Sequence, residues 1–305
     1  MINILKKITK QLVHYYLNIA SFEFWQKNGY HVLRNYYYSP IPDTSTFEND
    51  FYTKESELVG INLNEEKQLK LLDRFVALYR SEYDQFPDKP TNYYDYYKSQ
   101  SSYNHLEAQI LYCFVRDLKP KKIIEIGSGF STMLTAQALR KNKSEAKEDE
   151  CNFIAIEPYP NDAIKKGFEG LTKVLPMKVE DVSFSEFETL QENDILFIDS
   201  SHTVRAGGDV VHEVLEILPR IKKGVYIHIH DIFFPFQYPK QFFDQKRFWA
   251  EQYLVQAFLI NNDSFEICWA SHFMHRKHSN LIKESMDFYQ PTNPFVSSLW
   301  IKKVK

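Results

Sequence analysis

The sequence predicts an open α/β sheet with helices on both faces, preceded by a helical and loop-rich extension over residues 1–103. Three observations carry this reading. From residue 104 onward, short β-branched runs alternate with apolar-periodic segments, as in a parallel sheet whose crossovers are helices. The run Lys122–Ile126 leads into Gly127-Ser128-Gly129 and then into Met133, Leu134, Ala136 and Leu139 at helical spacing, which reads as strand, tight turn and helix. The main β runs also end on ionisable residues: Glu125 beside the glycines, Glu157, Asp199, and His230 with Asp231. Packing alone does not place so many such groups along one edge of a buried sheet, and ligands bind at that edge in open α/β sheets.

Taken in order, residues 1–16 form a basic amphipathic helix pattern, with Ile4, Leu5, Ile8, Leu12 and Val13 among Lys6, Lys7 and Lys10. Such a helix packs on its own protein or lies on a membrane surface. A Pro-punctuated extended stretch, 36–43, follows. Asn64 opens a helix carrying Leu69, Leu71, Leu72, Phe75 and Leu78, with Glu65 and Glu66 in its first turn. Residues 87–103 are turn-rich and dense in tyrosine, a loop that either covers a site as a lid or lays its rings on the body. Asn104-His105-Leu106-Glu107 reads as a capping box before a helix ending near Leu118.

The expected strands are 122–126, 152–156, 172–176, 194–198 and 224–230, with 265–270 and 297–302 closing the sheet. The expected helices between them are 130–141, followed by a charged loop at 143–150, then 161–167, 209–217 and 246–261.

Bulk properties narrow the function. A formal charge of -3 gives no basic footprint for nucleic acid. The three cysteines lack metal-type spacing and suit a reducing, cytoplasmic setting. No apolar run approaches the roughly 18–20 residues that span a bilayer, and the N-terminal pattern lacks the continuous apolar core of a secretory signal.

The glycine turn opens a helix, whose free N–H groups favour an anionic ligand group. A dinucleotide fingerprint would need a third glycine where Thr132 stands and an acidic residue about 20 positions on; Glu157 lies beyond that spacing. A carboxylate at Glu157 suits a diol such as ribose, or else a helix cap. Glu180 and Asp181 follow the third strand, placed for an adenine amino group or as a solvated acidic turn. Asp199 and His202 are three apart across a turn, and His228 and His230 share a face of the fifth strand. Asp199, His230 and Asp231 could ligate Mg²⁺, Mn²⁺, Fe²⁺ or Zn²⁺, with His202 taking a proton from a substrate hydroxyl. Alternatively, Asp199 and Asp231 cap helices or touch the ligand. His228 reads as a core histidine.

Residues 104–305 resemble the class I S-adenosylmethionine-dependent methyltransferases. Within them they are most similar to the small-molecule O-methyltransferase group that includes macrolide-sugar O-methyltransferases and cephalosporin hydroxylase-like proteins. The motifs that carry the resemblance are Ile124-Glu125-Ile126-Gly127-Ser128-Gly129-Phe130-Ser131-Thr132, Ala155-Ile156-Glu157-Pro158, Leu196-Phe197-Ile198-Asp199-Ser200-Ser201-His202 and Val225-Tyr226-Ile227-His228-Ile229-His230-Asp231.

The resemblance implies a Rossmann-like seven-stranded sheet of order 3-2-1-4-5-7-6 with the last strand antiparallel, inserted over 297–302. It implies S-adenosylmethionine contacts at Gly127, Gly129 and Glu157, and the full expected contact set adds Glu125, Ser131, Asp181 and Asp199. The metal-dependent sugar enzymes of this group have an Asp-x-x-His that supplies a metal ligand and a base, matched by Asp199 and His202. Their acidic pair after the fifth strand is here His230-Asp231, so imidazole replaces one carboxylate in a site for Mg²⁺ or another divalent ion. The implied activity is methylation of a hydroxyl on a small molecule or sugar. Two rival readings are a metal-dependent hydroxylase-like enzyme on this scaffold and a non-catalytic binding protein that keeps the fold.

Overall fold

The computed structural model describes every residue except Met1, Asn49, Ser101, Asn104, 147–149 and 287–288. The expected capping box begins at Asn104, outside the described residues. The chain divides into two compact units, Met1–Phe51 with Gln241–Phe248, and Tyr52–Lys240 with Trp249–Lys305. The sequence boundary at 103 therefore falls inside the larger unit.

The helices are α1 (Ile2–His14), α2 (Phe22–Lys27), α3 (Glu65–Tyr83), α4 (His105–Leu118), α5 (Phe130–Ala146), α6 (Asp162–Lys166), α7 (Phe184–Phe187), α8 (Asp209–His212), α9 (Leu218–Arg220), α10 (Lys240–Asp244), α11 (Glu251–Leu259), α12 (Ser271–Lys277) and α13 (Ser279–Ser285). In the smaller unit α1 runs into a π-helical turn, Tyr15–Ala20. Further on, Asp43 caps a short 3₁₀ turn by accepting from the Ser45 N–H at 3.1 Å. Phe47 and Phe51 stack at 4.1 Å and both meet Phe243 edge-on.

The larger unit holds one seven-stranded sheet. Its strands are β1 (Lys122–Ile126), β2 (Asn152–Ile156), β3 (Lys173–Leu175), β4 (Ile195–Ile198), β5 (Tyr226–His230), β6 (Phe265–Ala270) and β7 (Ser298–Lys303). The order is β3-β2-β1-β4-β5-β7-β6, with β7 antiparallel between β5 and β6, as the resemblance implied. The central strands β1, β2 and β4 read as mostly Ile and other apolar residues because both faces are covered.

The register sets Glu125, Phe197, His228 and Trp300 side by side across β1, β4, β5 and β7, on one face of the sheet. Phe197 stacks on His228 with centroids 4.0 Å apart, and Phe114 of α4 stacks on Trp300 at 4.0 Å. Phe114 also meets Phe75 of α3 edge-on, so α3 and α4 close this face in layers.

Several element ends differ from the sequence reading for local reasons. Asn64 sits in the left-handed region at φ 54° and gives no side-chain cap; its carbonyl accepts from Lys67 and Gln68, and its amide donates to the Ile267 carbonyl. The helix expected over 130–141 runs on to Ala146. The helix expected over 209–217 continues to Arg220 through a π-helical stretch, Glu213–Ile217, just before Pro219, which has no N–H to donate to the preceding turn. The helix expected over 246–261 is confined to Glu251–Leu259, after a left-handed residue at Lys246.

Residues 87–103 form turns, and their rings lie on the body. Tyr94 stacks on Phe168, Tyr97 meets Phe130 edge-on, and Tyr96 and Tyr103 are buried. Removing the indole that pins α4 to the sheet, Trp300→Ala, should cost roughly 3–5 kcal/mol of unfolding free energy, measured by urea titration.

Candidate functional site

The glycine bend after β1 is fixed by backbone approach. Gly127 has φ 94°, its N–H donates to the Ile156 carbonyl at 2.9 Å, and a Cβ there would collide with the Asp199 carbonyl. Only glycine fits. A Cβ on Gly129 would meet nothing within 4 Å, so the loop is open above it. Glu125, buried beneath the bend, accepts from Ser131 Oγ at 2.6 Å, while its Oε2 has no partner among the described residues. Burial pushes its carboxyl up to about 8 against the Ser131 and Thr132 hydroxyls, and the nearby Asp199 and Glu157 charges add to the rise. The Ser131 hydroxyl, expected to contact a ligand, is used on Glu125.

At the end of β2, Glu157 Oε1 accepts from the Tyr159 N–H at 2.8 Å. Asp181 is exposed on the 3₁₀ turn Val179–Asp181 after β3. By sheet order these positions follow the two strands on one side of β1, while Asp199, His230 and Asp231 follow β4 and β5 on the other.

The second half of the site forms around His202. Asp199 donates its N–H to the Ile126 carbonyl at 2.9 Å, which anchors the turn. Asp209 accepts from both the N–H and the hydroxyl of Ser201, and Glu213 accepts from the Ser200 hydroxyl at 2.9 Å. His202 is thereby held at φ 57°, a left-handed conformation that costs a non-glycine residue of order 1–3 kcal/mol. Its carbonyl accepts from the N–H groups of Ala250 and Glu251, satisfying the free start of α11. Glu251, in the first turn of that helix, reaches back to His202 Nδ1 at 2.8 Å. The Trp249 ring lies 4.3 Å from the imidazole.

His202 Nε2 faces Asp199 Oδ1 at 3.4 Å and Asp231 Oδ2 at 3.5 Å. Burial pulls its pKa down, but the bonds to Asp199 and Glu251 and the Asp231 charge outweigh burial and raise it well above the usual range. Burial correspondingly pushes Asp199 up, yet the neighbouring His230 and His202 hold it at about 2. Glu213 is driven well above the carboxylate range by burial and by Glu251, so it stays a neutral acid. His230 stacks on Tyr103 at 5.3 Å and is raised, because Asp199, Asp231 and Glu107 outweigh its burial. His228 lies in the core as expected, but neither ring nitrogen has a partner among the described residues; burial and the His230 charge keep it neutral.

The residues expected to hold a metal do not fit one. A divalent ion needs ligand atoms converging at about 2.0–2.6 Å. Here Asp199 and Asp231 both face the imidazole of His202, Asp231 Oδ1 accepts from Ser297 Oγ at 2.7 Å, and His230 Nε2 stands 4.0 Å from Asp231. Among the described residues no group of three or more His, Cys, Asp or Glu could hold a metal ion. The geometry therefore gives the predicted Asp199, His230 and Asp231 centre no support.

Glu251, Glu213, Trp249 and Tyr103 belong to the cluster, and the sequence reading missed them as site residues. Glu251 lies 49 residues after His202 and looks like any acidic residue in a first helical turn.

Residues 124–232 match the family model described as a methyltransferase domain. An uncharacterized protein of Archaeoglobus fulgidus is 34% identical over 169 residues, spanning 52% of this chain and 74% of the relative. The family model over residues 124–232, together with the sheet order, makes this a methyltransferase domain with the class I architecture.

Two solved structures are also similar. One is a Plasmodium falciparum chain assigned as a protein-L-isoaspartate O-methyltransferase in complex with S-adenosyl-L-homocysteine, at 12% identity, TM-score 0.29, covering 70% of this chain and 83% of that one. The other is an S-adenosylmethionine-dependent methyltransferase of Anabaena variabilis, at 8% identity, TM-score 0.32, covering 83% and 100%. At such scores nothing further rests on them.

Two outcomes are expected. Gly129→Val should keep the fold and weaken S-adenosylmethionine binding at least about tenfold in calorimetry, whereas Gly127→Val should lower the melting temperature itself. For Glu125, a folded pKa of about 8 against an unfolded value of 4.5 means that its stabilising contribution is full below pH 4.5 and is lost as pH rises through 8. Wild type should therefore lose stability relative to Glu125→Gln between about pH 4.5 and 8 and level off above, at up to about 1.4 kcal/mol per pH unit, in urea titrations of both proteins.

Proposed function

We propose that the enzyme transfers the methyl group of S-adenosylmethionine to a hydroxyl oxygen of a small molecule or sugar unit, with His202 as the base. The observation that carries this reading is the buried imidazole held by Glu251 at Nδ1, with Nε2 turned into the strand-end cluster. Gly127, Gly129 and Glu157 would hold the donor, with Glu125 beneath the bend. The bound donor supplies an activated methyl on a sulfonium, which leaves as a neutral thioether once the acceptor oxygen takes the carbon. The chain then has to align the acceptor and remove its proton.

His202 accepts that proton at Nε2. Glu251, Asp199 and Asp231 stabilise the imidazolium that results. The same carboxylates make the neutral imidazole the minor form beforehand, so the base acts from a small population. Glu251 orients the ring and fixes which nitrogen faces the acceptor. The acidic surroundings favour neutral acceptors over anionic ones, and the Trp249 ring offers a flat surface to a sugar.

The test is release of S-adenosylhomocysteine during incubation with a panel of neutral polyols and their phosphorylated counterparts, followed by mass spectrometry. Turnover confined to neutral acceptors supports the proposal; purified protein that binds no S-adenosylmethionine overturns it. With the true acceptor, His202→Ala should lower kcat by about 10²–10⁴. Glu251→Gln should lower kcat with KM little changed. Exhaustive dialysis against EDTA should leave turnover within about twofold, since Asp199 and Asp231 face the His202 imidazole and do not converge on an ion position.

A further inference from the structure

We propose that α1 docks the protein on an anionic lipid surface. Ile4, Leu5, Ile8, Leu12 and Val13 are each about half exposed or more, from 48% at Ile8 to 64% at Ile4. At 3.6 residues per turn these five positions spread over about half the helix circumference, wider than the narrow seam of a paired helix. Lys6, Lys7 and Lys10 occupy the other side, exposed and, among the described residues, in no ion pair. Tyr15, Tyr16, Ile19 and Phe24 extend the exposed apolar surface beyond the helix.

The charge pattern selects the occupant. No acidic residue precedes Glu23, so the segment carries three lysine charges without compensation in a chain whose formal net charge is -3. A half-apolar, half-basic helix suits a plane whose interior is hydrocarbon and whose surface is negative. Thirteen residues give a helix of about 20 Å, short of the roughly 30 Å hydrocarbon core, and no helix among the described residues is long and apolar enough to cross a membrane. The helix therefore lies in the interface, its apolar side sunk about 5–10 Å. Attraction between lysines and acidic headgroups falls off within a Debye length, about 10 Å at 0.1 M salt, so binding is salt-sensitive.

The experiment is flotation of the full chain with vesicles of phosphatidylcholine alone or mixed equally with phosphatidylglycerol. The expected result is binding to the mixed vesicles that falls at least about tenfold on pure phosphatidylcholine or at 0.5 M NaCl. Ile8→Asp with Leu12→Asp, and separately Lys6→Glu with Lys7→Glu and Lys10→Glu, should each abolish flotation while leaving the melting temperature and S-adenosylmethionine binding as in wild type. Equal flotation on both vesicle types, or flotation unchanged in both variants, overturns the proposal. So does a dimer seen by light scattering that the Ile8→Asp, Leu12→Asp variant disperses while no vesicle binds, because the apolar side is then covered by a second copy.

Discussion

Burying ionisable groups at the carboxyl edge of a parallel sheet carries a large desolvation cost, and the arrangement around His202 is how this chain meets it. Lone carboxylates in that position would take up protons, and a lone imidazole would lose its own. Set among Asp199, Asp231 and Glu251, the imidazole holds its positive charge and keeps Asp199 ionised. The turn that makes this placement possible is itself tied down. Asp209 and Glu213 hold the two serines before His202, and the N-terminus of α11 holds its carbonyl. The left-handed backbone at His202 is strain that these contacts offset, and Glu251 can reach the ring only because that carbonyl fixes where α11 begins.

The fold was legible because parallel strands buried on both faces leave an unbroken apolar signature and a polar terminal residue. Lys122–Ile126 and Asn152–Ile156 match the expected bounds for that reason. Strand ends given by hydrogen bonding rather than composition were less legible: β3 loses a residue at each end relative to expectation, and β5 starts two later than expected. In the site, the motif residues could be read because they stand next to strands in sequence. Glu251, Trp249 and Tyr103 could not, since each reaches the cluster from a distant segment and only the folded chain relates them. The start of a helix read from sequence can also be redirected. Asn64 gives its amide to Ile267, and Glu65 pairs with Lys277 and His278, because tertiary partners across the sheet edge compete with the helix start.

The departure of His230-Asp231 from an acidic pair acquires a physical meaning in this setting. Two carboxylates facing each other across a short gap repel unless a cation lies between them. Asp199 and Asp231 have that cation in an imidazole belonging to the chain, 3.4 and 3.5 Å away. A second imidazole at His230 adds positive charge from the next strand, where a further carboxylate would have called for more compensation. The carboxylate charge of the cluster is thus offset in part by side chains of the chain itself.

His228 limits where the positive charge resides. It lies in the same row of the sheet as Glu125 and Phe197, stacked on the latter, and its ring nitrogens have no partner among the described residues. Leaving such a group unsatisfied costs about 1–3 kcal/mol, of which aromatic stacking returns about 0.5–1.5. Protonating it would cost far more beside a charged His230, so it stays neutral. Positive charge is thereby kept off the core and held, in this cluster, at His202 and His230, which have carboxylate oxygens of Asp199 and Asp231 within 4.0 Å. The neutral ring meets Trp300 edge-on at 4.9 Å and His230 at 5.7 Å, and so separates the apolar layer of Trp300 and Phe114 from the charged imidazole.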